Sequence, residues 1–317
     1  MDIIGGDLKP NNSSELEELG ITRGDLDNLQ NPDASGLSGK VFFMEAKDGR
    51  KLAVKKGFNG DEGRMEKNAL ELLAGREALN RKVAPQLYYF DPEGGIMITE
   101  KIEGQTLDEV ENPDLSGMGE TLGEVHKTKY PFFTNSLQEK GVGTQEEYLK
   151  TKVRALKARA EGLNELIAQR GVDFVQGVNR IIEHFKELAE ENGEFFQENE
   201  FALIHNDLSF DNVIQSEQGP VIIDWGNSSI GDSALDIAKM FAKNNLSHEK
   251  QEEIFDSYSA TVDDETLRQR VQIYYPMAKL NSLFTCLKRI QDGNIKPKKG
   301  EERLARDYEY LMSLIKE

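Results

Sequence analysis

In His205-Asn206-Asp207-Leu208-Ser209-Phe210-Asp211-Asn212 and Val221-Ile222-Ile223-Asp224-Trp225-Gly226, carboxylates and an amide stand at the ends of short apolar runs. Asn212-Val213-Ile214 and Val221-Ile222-Ile223 read as the two strands of a hairpin, joined by the polar stretch from Gln215 to Pro220, which contains Gly219. Antiparallel pairing sets the start of one strand beside the end of the other, so Asn212 and Asp224 become neighbours about one strand spacing apart. Two oxygen ligands then converge on one point. Mg²⁺ suits such a site, because it accepts a few protein oxygens and completes its octahedron with water and phosphate. Asp207 lies five residues before Asn212, in a loop after the apolar strand Phe201-Ala202-Leu203-Ile204, with no lysine or arginine at 206 or 209 to neutralise it. There a carboxylate can meet a hydroxyl in line with a γ-phosphate. Taken singly, each of these residues is an ordinary turn former, since Asp and Asn bond their own backbone. Their order, spacing and flanking strands together point to phosphoryl transfer.

Such a site needs a loop over the phosphates, a lysine on a following strand and a carboxylate to hold that lysine. Ser35-Gly36-Leu37-Ser38-Gly39-Lys40 runs into the strand Val41-Phe42-Phe43-Met44-Glu45, Lys47-Asp48-Gly49 turns the chain, and Lys51-Leu52-Ala53-Val54-Lys55 returns. Period-two alternation puts Ala53 and Lys55 on one face and Val54 on the other, so Lys55 points below the Gly-rich loop and Lys56 away from it. The segment from Arg64 to Ala74 is predicted helical, with Met65, Ala69, Leu72 and Leu73 as its apolar stripe and Gly75 as its stop. Glu66 is its best partner for Lys55. A P-loop NTPase is disfavoured, because Ala34 and Val41 occupy the places where that motif needs Gly and Ser or Thr.

On these motifs the chain resembles the aminoglycoside phosphotransferase and choline kinase family, small-molecule kinases with a protein-kinase-like fold. The resemblance runs from about Gly36 to about Met240 and is most specific over His205 to Asn212 and Ile223 to Ala238. It implies an α+β, bilobal architecture: residues 1–100 form a small β-rich ATP-binding lobe, with residues 1–35 as an extension, and residues 101–317 a larger, mainly helical catalytic and substrate-binding lobe. It further implies Asp207 as catalytic base, Asn212 and Asp224 as Mg²⁺ ligands, Lys55 on the α- and β-phosphates braced by Glu66, and Ser38 in the phosphate loop. Ile96 to Gly104 resembles the strand and hinge that bind adenine through the backbone of Glu100 and Ile102. The implied donor is ATP, with GTP as an alternative. Asp236 matches the family residue that braces the catalytic loop, and Asp232 caps the helix after it. His126 reads as structural. Two positions depart from the family pattern: Asp211 stands where Gly is usual before the metal-binding Asn, and Gly226 where Glu often follows Asp-Trp.

A protein kinase is harder to reconcile with this chain. Only a few residues separate Asp224 from Gly231-Asp232, there is no Ala-Pro-Glu motif, and Asn206 replaces the arginine that would bind an activation-loop phosphate. A nucleotide-binding regulator without turnover is the other alternative, and it would be favoured by a missing Lys55, Asp207 or Asp224 equivalent. All three are present.

The chain has 317 residues, enough for two sizeable cores. The start Met1-Asp2-Ile3-Ile4-Gly5-Gly6-Asp7 lacks a basic region and a long apolar core, and no run of 18 apolar residues occurs, which favours a cytoplasmic location and no membrane partner. The single cysteine, Cys286, reads as a buried helix position. A formal net charge of −18 argues against nucleic acid as a partner. It is compatible with a cationic small-molecule substrate, and is most simply a solubility feature.

Leu16, Leu19 and Ile21 are expected on a short helix against the small lobe. Within the large lobe, Thr144-Gln145-Glu146-Glu147 fits a capping box for a helix running toward Gly171, with Lys150, Arg154 and Lys157 as its solvated face. A second helix should span Val172 to Asn192. The resemblance implies that this helical insertion and the C-terminal helices, with Tyr258, Tyr274, Tyr275 and Phe284, face the substrate. These side chains are either an aromatic cage for an ammonium group or, more commonly at helical spacing, core. Aminoglycosides, choline or ethanolamine and other hydroxylated metabolites all remain open as acceptors, and oligomeric state is not readable.

Overall fold

The computed structural model describes residues 13–36, 39–75, 81–134, 140–141 and 143–315. Near the N-terminus, Ala34–Gly36, Gly39–Glu45, Lys51–Lys56, Ile96–Glu100 and Leu87–Asp91 form one antiparallel five-stranded sheet, in that order across it. Alternation governs the third strand as expected: Leu52 and Val54 are fully buried, whereas Ala53 and Lys55 lie on the other, half-covered face. Gly39 has φ +120°, and an added Cβ would stand 2.7 Å from the Lys56 carbonyl, so only glycine lets the first strands approach the third here. The strands on either side of the Gly-rich element pair through Gly36↔Gly39.

The helix Ser13–Leu19 packs on this sheet through Leu16 and Leu19, joined by Ile21 and Leu26, in a core with Phe42, Tyr89 and Ile98. Arg23 reaches the buried Asp91 at 2.5 Å and ties the segment down.

The helix after the third strand spans Gly60–Ala74, one turn earlier than its pattern suggests, because Asn59 caps it by accepting from Asp61 N. Its buried face is Gly63, Glu66, Ala69, Leu70 and Leu73, whereas Met65 and Leu72 are only partly covered. The stripe is thus rotated to bring Glu66 inward.

The rest of the chain is mainly helical, built around Leu115–His126, Gln145–Gly162, Val172–Glu191, Ser233–Asn244, His248–Ser259, Leu267–Gln291 and Pro297–Leu314. These helices share one large core with the inner side of helix Gly60–Ala74. The Thr144 capping box forms, and Lys150, Arg154 and Lys157 are exposed. The helix that Thr144 caps ends at Gly162, with a separate short helix at Asn164–Ala168 before Gly171. Tyr258, Tyr274 and Phe284 are fully buried core residues, and Tyr275 packs edge-on against Tyr310. They form no aromatic cage and are core, the commoner reading of aromatics at helical spacing.

Two small sheets carry the loops that matter for chemistry. Val213–Ser216 pairs with Gly219–Ile222 and with Gln105–Thr106, and Phe201–Ile204 pairs with Ser229–Gly231 and Lys129–Tyr130. The hairpin is tighter than the sequence suggests, since Ser216 pairs with Gly219 and leaves a two-residue turn. Pro220 is accommodated because its strand lies at the edge of its sheet. No helix of the described residues is long and apolar enough to cross a membrane.

Candidate active site

Hairpin register places the first two residues. Val213 opposes Ile222, and Ile223 N donates to Asn212 O at 2.9 Å, so Asn212 and Asp224 emerge side by side from the open end. Asn212 Nδ2 donates to Asp207 O at 2.9 Å, which leaves Oδ1 as the free donor atom of the amide. Asp224 has φ 59°, a left-handed conformation uncommon for a residue with a side chain. The following residue, Trp225, is fully buried, donates Nε1 to Ile222 O at 3.0 Å and anchors this turn. No group of three or more His, Cys, Asp or Glu side chains able to hold a metal occurs among the described residues. One amide oxygen and one carboxylate suit a cation whose remaining ligands are water and phosphate, and they do not suit an all-protein cage.

Lys55 joins the sheet to this hairpin. Its Nζ donates to Glu66 Oε2 at 2.7 Å and to Asp224 Oδ1 at 2.6 Å. Burial opposes the Lys55 charge, but Glu66 and Asp224 outweigh it and hold the ammonium above the ordinary lysine range. Burial pushes the Glu66 carboxyl upward, and Lys55 pulls against that rise. Glu66 is 6% exposed, so its position inside the helix–sheet interface depends on this partner.

The loop carrying Asp207 is held from below by Asp236, on the first turn of helix Ser233–Asn244. Asp236 accepts from His205 N through Oδ2 and from Asn206 N through Oδ1, both at 2.7 Å. The same carboxylate faces His126 Nε2 at 3.4 Å, and His126 Nδ1 meets the Tyr258 hydroxyl at 3.2 Å, so His126 is a fully buried structural group. Although burial works to raise the Asp236 carboxyl, the hydrogen bond and charge of His126 and the neighbouring His205 hold it below the usual carboxylate range. Asn206 also adopts a left-handed backbone, φ 65°, fixed by its Nδ2 bonds to Ser229 Oγ and Asn227 O. Asp232 caps the helix by accepting from Ala234 N and is bridged by the buried Arg270. Asp236→Ala should therefore destabilise the fold by about 2–5 kcal/mol, because two backbone N–H groups lose a charged acceptor. Urea unfolding at neutral pH measures this, and a loss below about 1 kcal/mol would show that the loop is held by other contacts.

Asp207 itself is ion-paired with Lys243, from the last turn of the same helix. The absence of basic residues at 206 and 209 therefore does not leave this carboxylate unneutralised. Lys239, one turn earlier, donates to Asn206 Oδ1 at 2.8 Å. Neither lysine is signalled by local spacing, because each reaches the loop across a helix–loop contact. Asp207, Asn212 and Asp224 line a single cleft of about 860 Å³ together with Asp211 and Glu62. Glu62 stands opposite Gly226, its Cβ 3.7 Å from where a Gly226 Cβ would lie.

The strand Ile96–Glu100 leads into the expected hinge. Glu100 N is engaged with Gln86 O at 2.8 Å, its carboxylate pairs with Lys82, and Ile102 N has no hydrogen-bond partner among the described residues. Ser38 lies outside the described residues.

A lysine pinned between a helix carboxylate and a hairpin carboxylate, over a braced acidic loop, is the layout of a phosphoryl-transfer site on a two-lobed α+β scaffold. Solved structures share that scaffold. Choline kinase LicA from Streptococcus pneumoniae superposes with a TM-score of 0.62 at 21% identity, over 94% of this chain and 97% of that one. An ethanolamine kinase from Plasmodium vivax gives 0.62 at 17% identity, over 95% of both chains. An ADP-bound aminoglycoside phosphotransferase gives 0.55 at 17% identity, over 95% and 96%. No curated protein matches the chain. The fold is thus the protein-kinase-like fold of small-molecule kinases. Residues 30–274 match the model of the phosphotransferase enzyme family, and the chain belongs to that family.

Proposed function

We propose that this protein is an ATP-dependent kinase that transfers the γ-phosphate to a hydroxyl of a small molecule. The observation that carries this is the position of Lys55 Nζ, within 2.7 Å of both Glu66 and Asp224, where Asp224 also lines the cleft holding Asp207 and Asn212. On this reading residues 1–100 bind nucleotide and residues 101–317 supply the base and the acceptor site. Adenine lies against the hinge, meeting the backbone of Glu100 and Ile102. Ser38 belongs to the phosphate loop. Lys55, held by Glu66, orients the α- and β-phosphates.

Asn212 Oδ1 and Asp224 are the atoms for Mg²⁺, which when bound neutralises phosphate charge and orients the terminal phosphoryl group. Asp207 orients the acceptor hydroxyl. The hydroxyl oxygen of the acceptor forms a bond to the γ-phosphorus, the bond from that phosphorus to the β–γ bridging oxygen breaks with its electron pair leaving on ADP, and the hydroxyl proton passes to Asp207. The loop is braced by Asp236, so the carboxylate is positioned before substrate arrives.

A small-molecule acceptor is favoured over a peptide because the short helix Trp225–Asn227 leads directly into strand Ser229–Gly231, leaving no segment to support an extended substrate. Incubation with γ-labelled ATP and common protein acceptors should leave protein unlabelled. Serine or threonine labelling that disappears in Asp207→Ala would overturn the assignment of acceptor class.

A further inference from the structure

The far end of the cleft has an unexpected charge. With 57 acidic against 39 basic residues, a pocket of this protein is expected to be acidic. Four of the five carboxylates lining the cleft, Glu62, Asp207, Asp211 and Asp224, gather at the Asn212 end. The fifth, Asp292, lies 4.0 Å from Lys288. The cleft is also lined by Arg159, Lys239, Lys243, Arg289 and Arg303, of which Lys243 is paired with Asp207 and Arg303 lies 3.9 Å from the buried Asp307.

These cations come from four separate helices and converge. Arg159 donates to Asn281 Oδ1 and, at 2.9 Å, to Thr285 Oγ1, and Arg303 donates to Ser282 Oγ at 2.6 Å, so both lie along one face of helix Leu267–Gln291. Arg289 and Arg303 stand near enough to Lys243 to repel it. Arg159, Lys239 and the exposed Arg289 have no carboxylate within ion-pair distance among the described residues, and Arg159 and Lys239 donate to neutral groups. Burial unopposed by any carboxylate presses the Arg159 guanidinium below its ordinary range. Arg159 and Lys239, part-buried and without a counter-charge, are unfavourably placed in the free protein, and an anionic ligand reverses that sign.

The phosphates of the nucleotide do not explain the cluster, since their predicted contacts, Lys55 for the α- and β-phosphates and Asn212 and Asp224 through Mg²⁺, belong to the sheet and hairpin. No residue of the five-stranded sheet lines the cleft. We propose that the acceptor is an anionic hydroxyl compound, whose carboxylate or phosphate group is held by Arg159, Arg303 and Lys239 while its hydroxyl faces Asp207. The proposal rests on the small-molecule kinase reading and narrows its acceptor class. Asn281, Ser282 and Thr285 add neutral hydrogen-bonding groups suited to further hydroxyls.

The test is calorimetry on the full chain saturated with Mg²⁺ and a non-hydrolysable ATP analogue, titrated separately with glycerate, glycerol 3-phosphate, choline and kanamycin. Saturable binding is expected with one or both anions, the two arms distinguishing carboxylate from phosphate, and none with the cations. Arg159→Gln and Arg303→Gln should each weaken anion binding by about tenfold or more, in line with loss of a charge-assisted hydrogen bond, and leave analogue affinity unchanged. Arg159→Lys should recover part of the loss. Binding of choline or kanamycin, no binding of either anion, or anion binding indifferent to both glutamine variants would overturn the proposal. Failure of the analogue itself to bind would instead refute the kinase reading.

Discussion

Asp207→Asn should lower turnover by a factor of about 10² to 10⁴ while binding Mg·ATP almost as the parent does. The expectation follows from position. Asp207 sits on a loop whose backbone is fixed by Asp236, and it lines the cleft. The amide preserves shape and can still hydrogen-bond a hydroxyl, so what is lost is proton acceptance and the charge that pairs with Lys243. Lys55 and its two carboxylates are untouched, which is why nucleotide affinity is spared. Steady-state kinetics with any accepted acceptor, beside calorimetry with Mg·ATP, separates the two quantities. Near-parental turnover would remove Asp207 from the role of base.

The second large effect concerns the metal ligands. In the parent, Mg·ATP at about 100 times its Kd should add about 2.7 kcal/mol of stability by mass action. Asp224→Ala should abolish the Mg²⁺-dependent part of that gain, because on the proposed reading Asp224 supplies one of two protein oxygens at the hairpin's open end and Asn212 alone would be a neutral, monodentate ligand. The parent with EDTA should resemble the variant with Mg²⁺. The Lys55–Glu66 pair survives the substitution, so some metal-independent nucleotide binding is expected to persist. A thermal-shift series with and without Mg²⁺ reads this directly, and an equal Mg·ATP gain in parent and variant would mean that the metal sits elsewhere.

What the sequence reveals about the site depends on how locally each residue is specified. Asn212 and Asp224 are legible because an antiparallel hairpin converts sequence order into adjacency. Lys55 is legible because strand alternation fixes its face, and its carboxylate because few acidic residues lie on the next helix at the right height. The helix start at Gly60 is not, since Gly60-Asp61-Glu62-Gly63 reads as a loop until Asn59 is seen to cap it. Helical periodicity also chose Met65 and Leu72 where the fold buries Glu66 and Leu70 instead. An apolar pattern cannot anticipate a carboxylate made acceptable inside the core by one distant lysine. The same holds for Lys243, Arg159 and Arg303: each sits on a helix whose nearby sequence looks solvated, and only tertiary packing turns it into the cleft. The aromatic residues are legible as core, their helical spacing reflecting burial and nothing about a ligand.

The most direct test of the account is product identification. The protein is incubated with Mg·ATP and a panel of hydroxylated acceptors spanning hydroxy acids, sugar phosphates, sugars, amino-alcohols and aminoglycosides, with Asp207→Asn as the blank, and each mixture is examined by mass spectrometry and phosphorus NMR. The account predicts that ATP consumption is matched by one new phosphate monoester on a small molecule, that the blank forms almost none, and that the phosphorylated acceptor is anionic. ADP formation at the same rate with and without every acceptor, or the label appearing on protein, would contradict it.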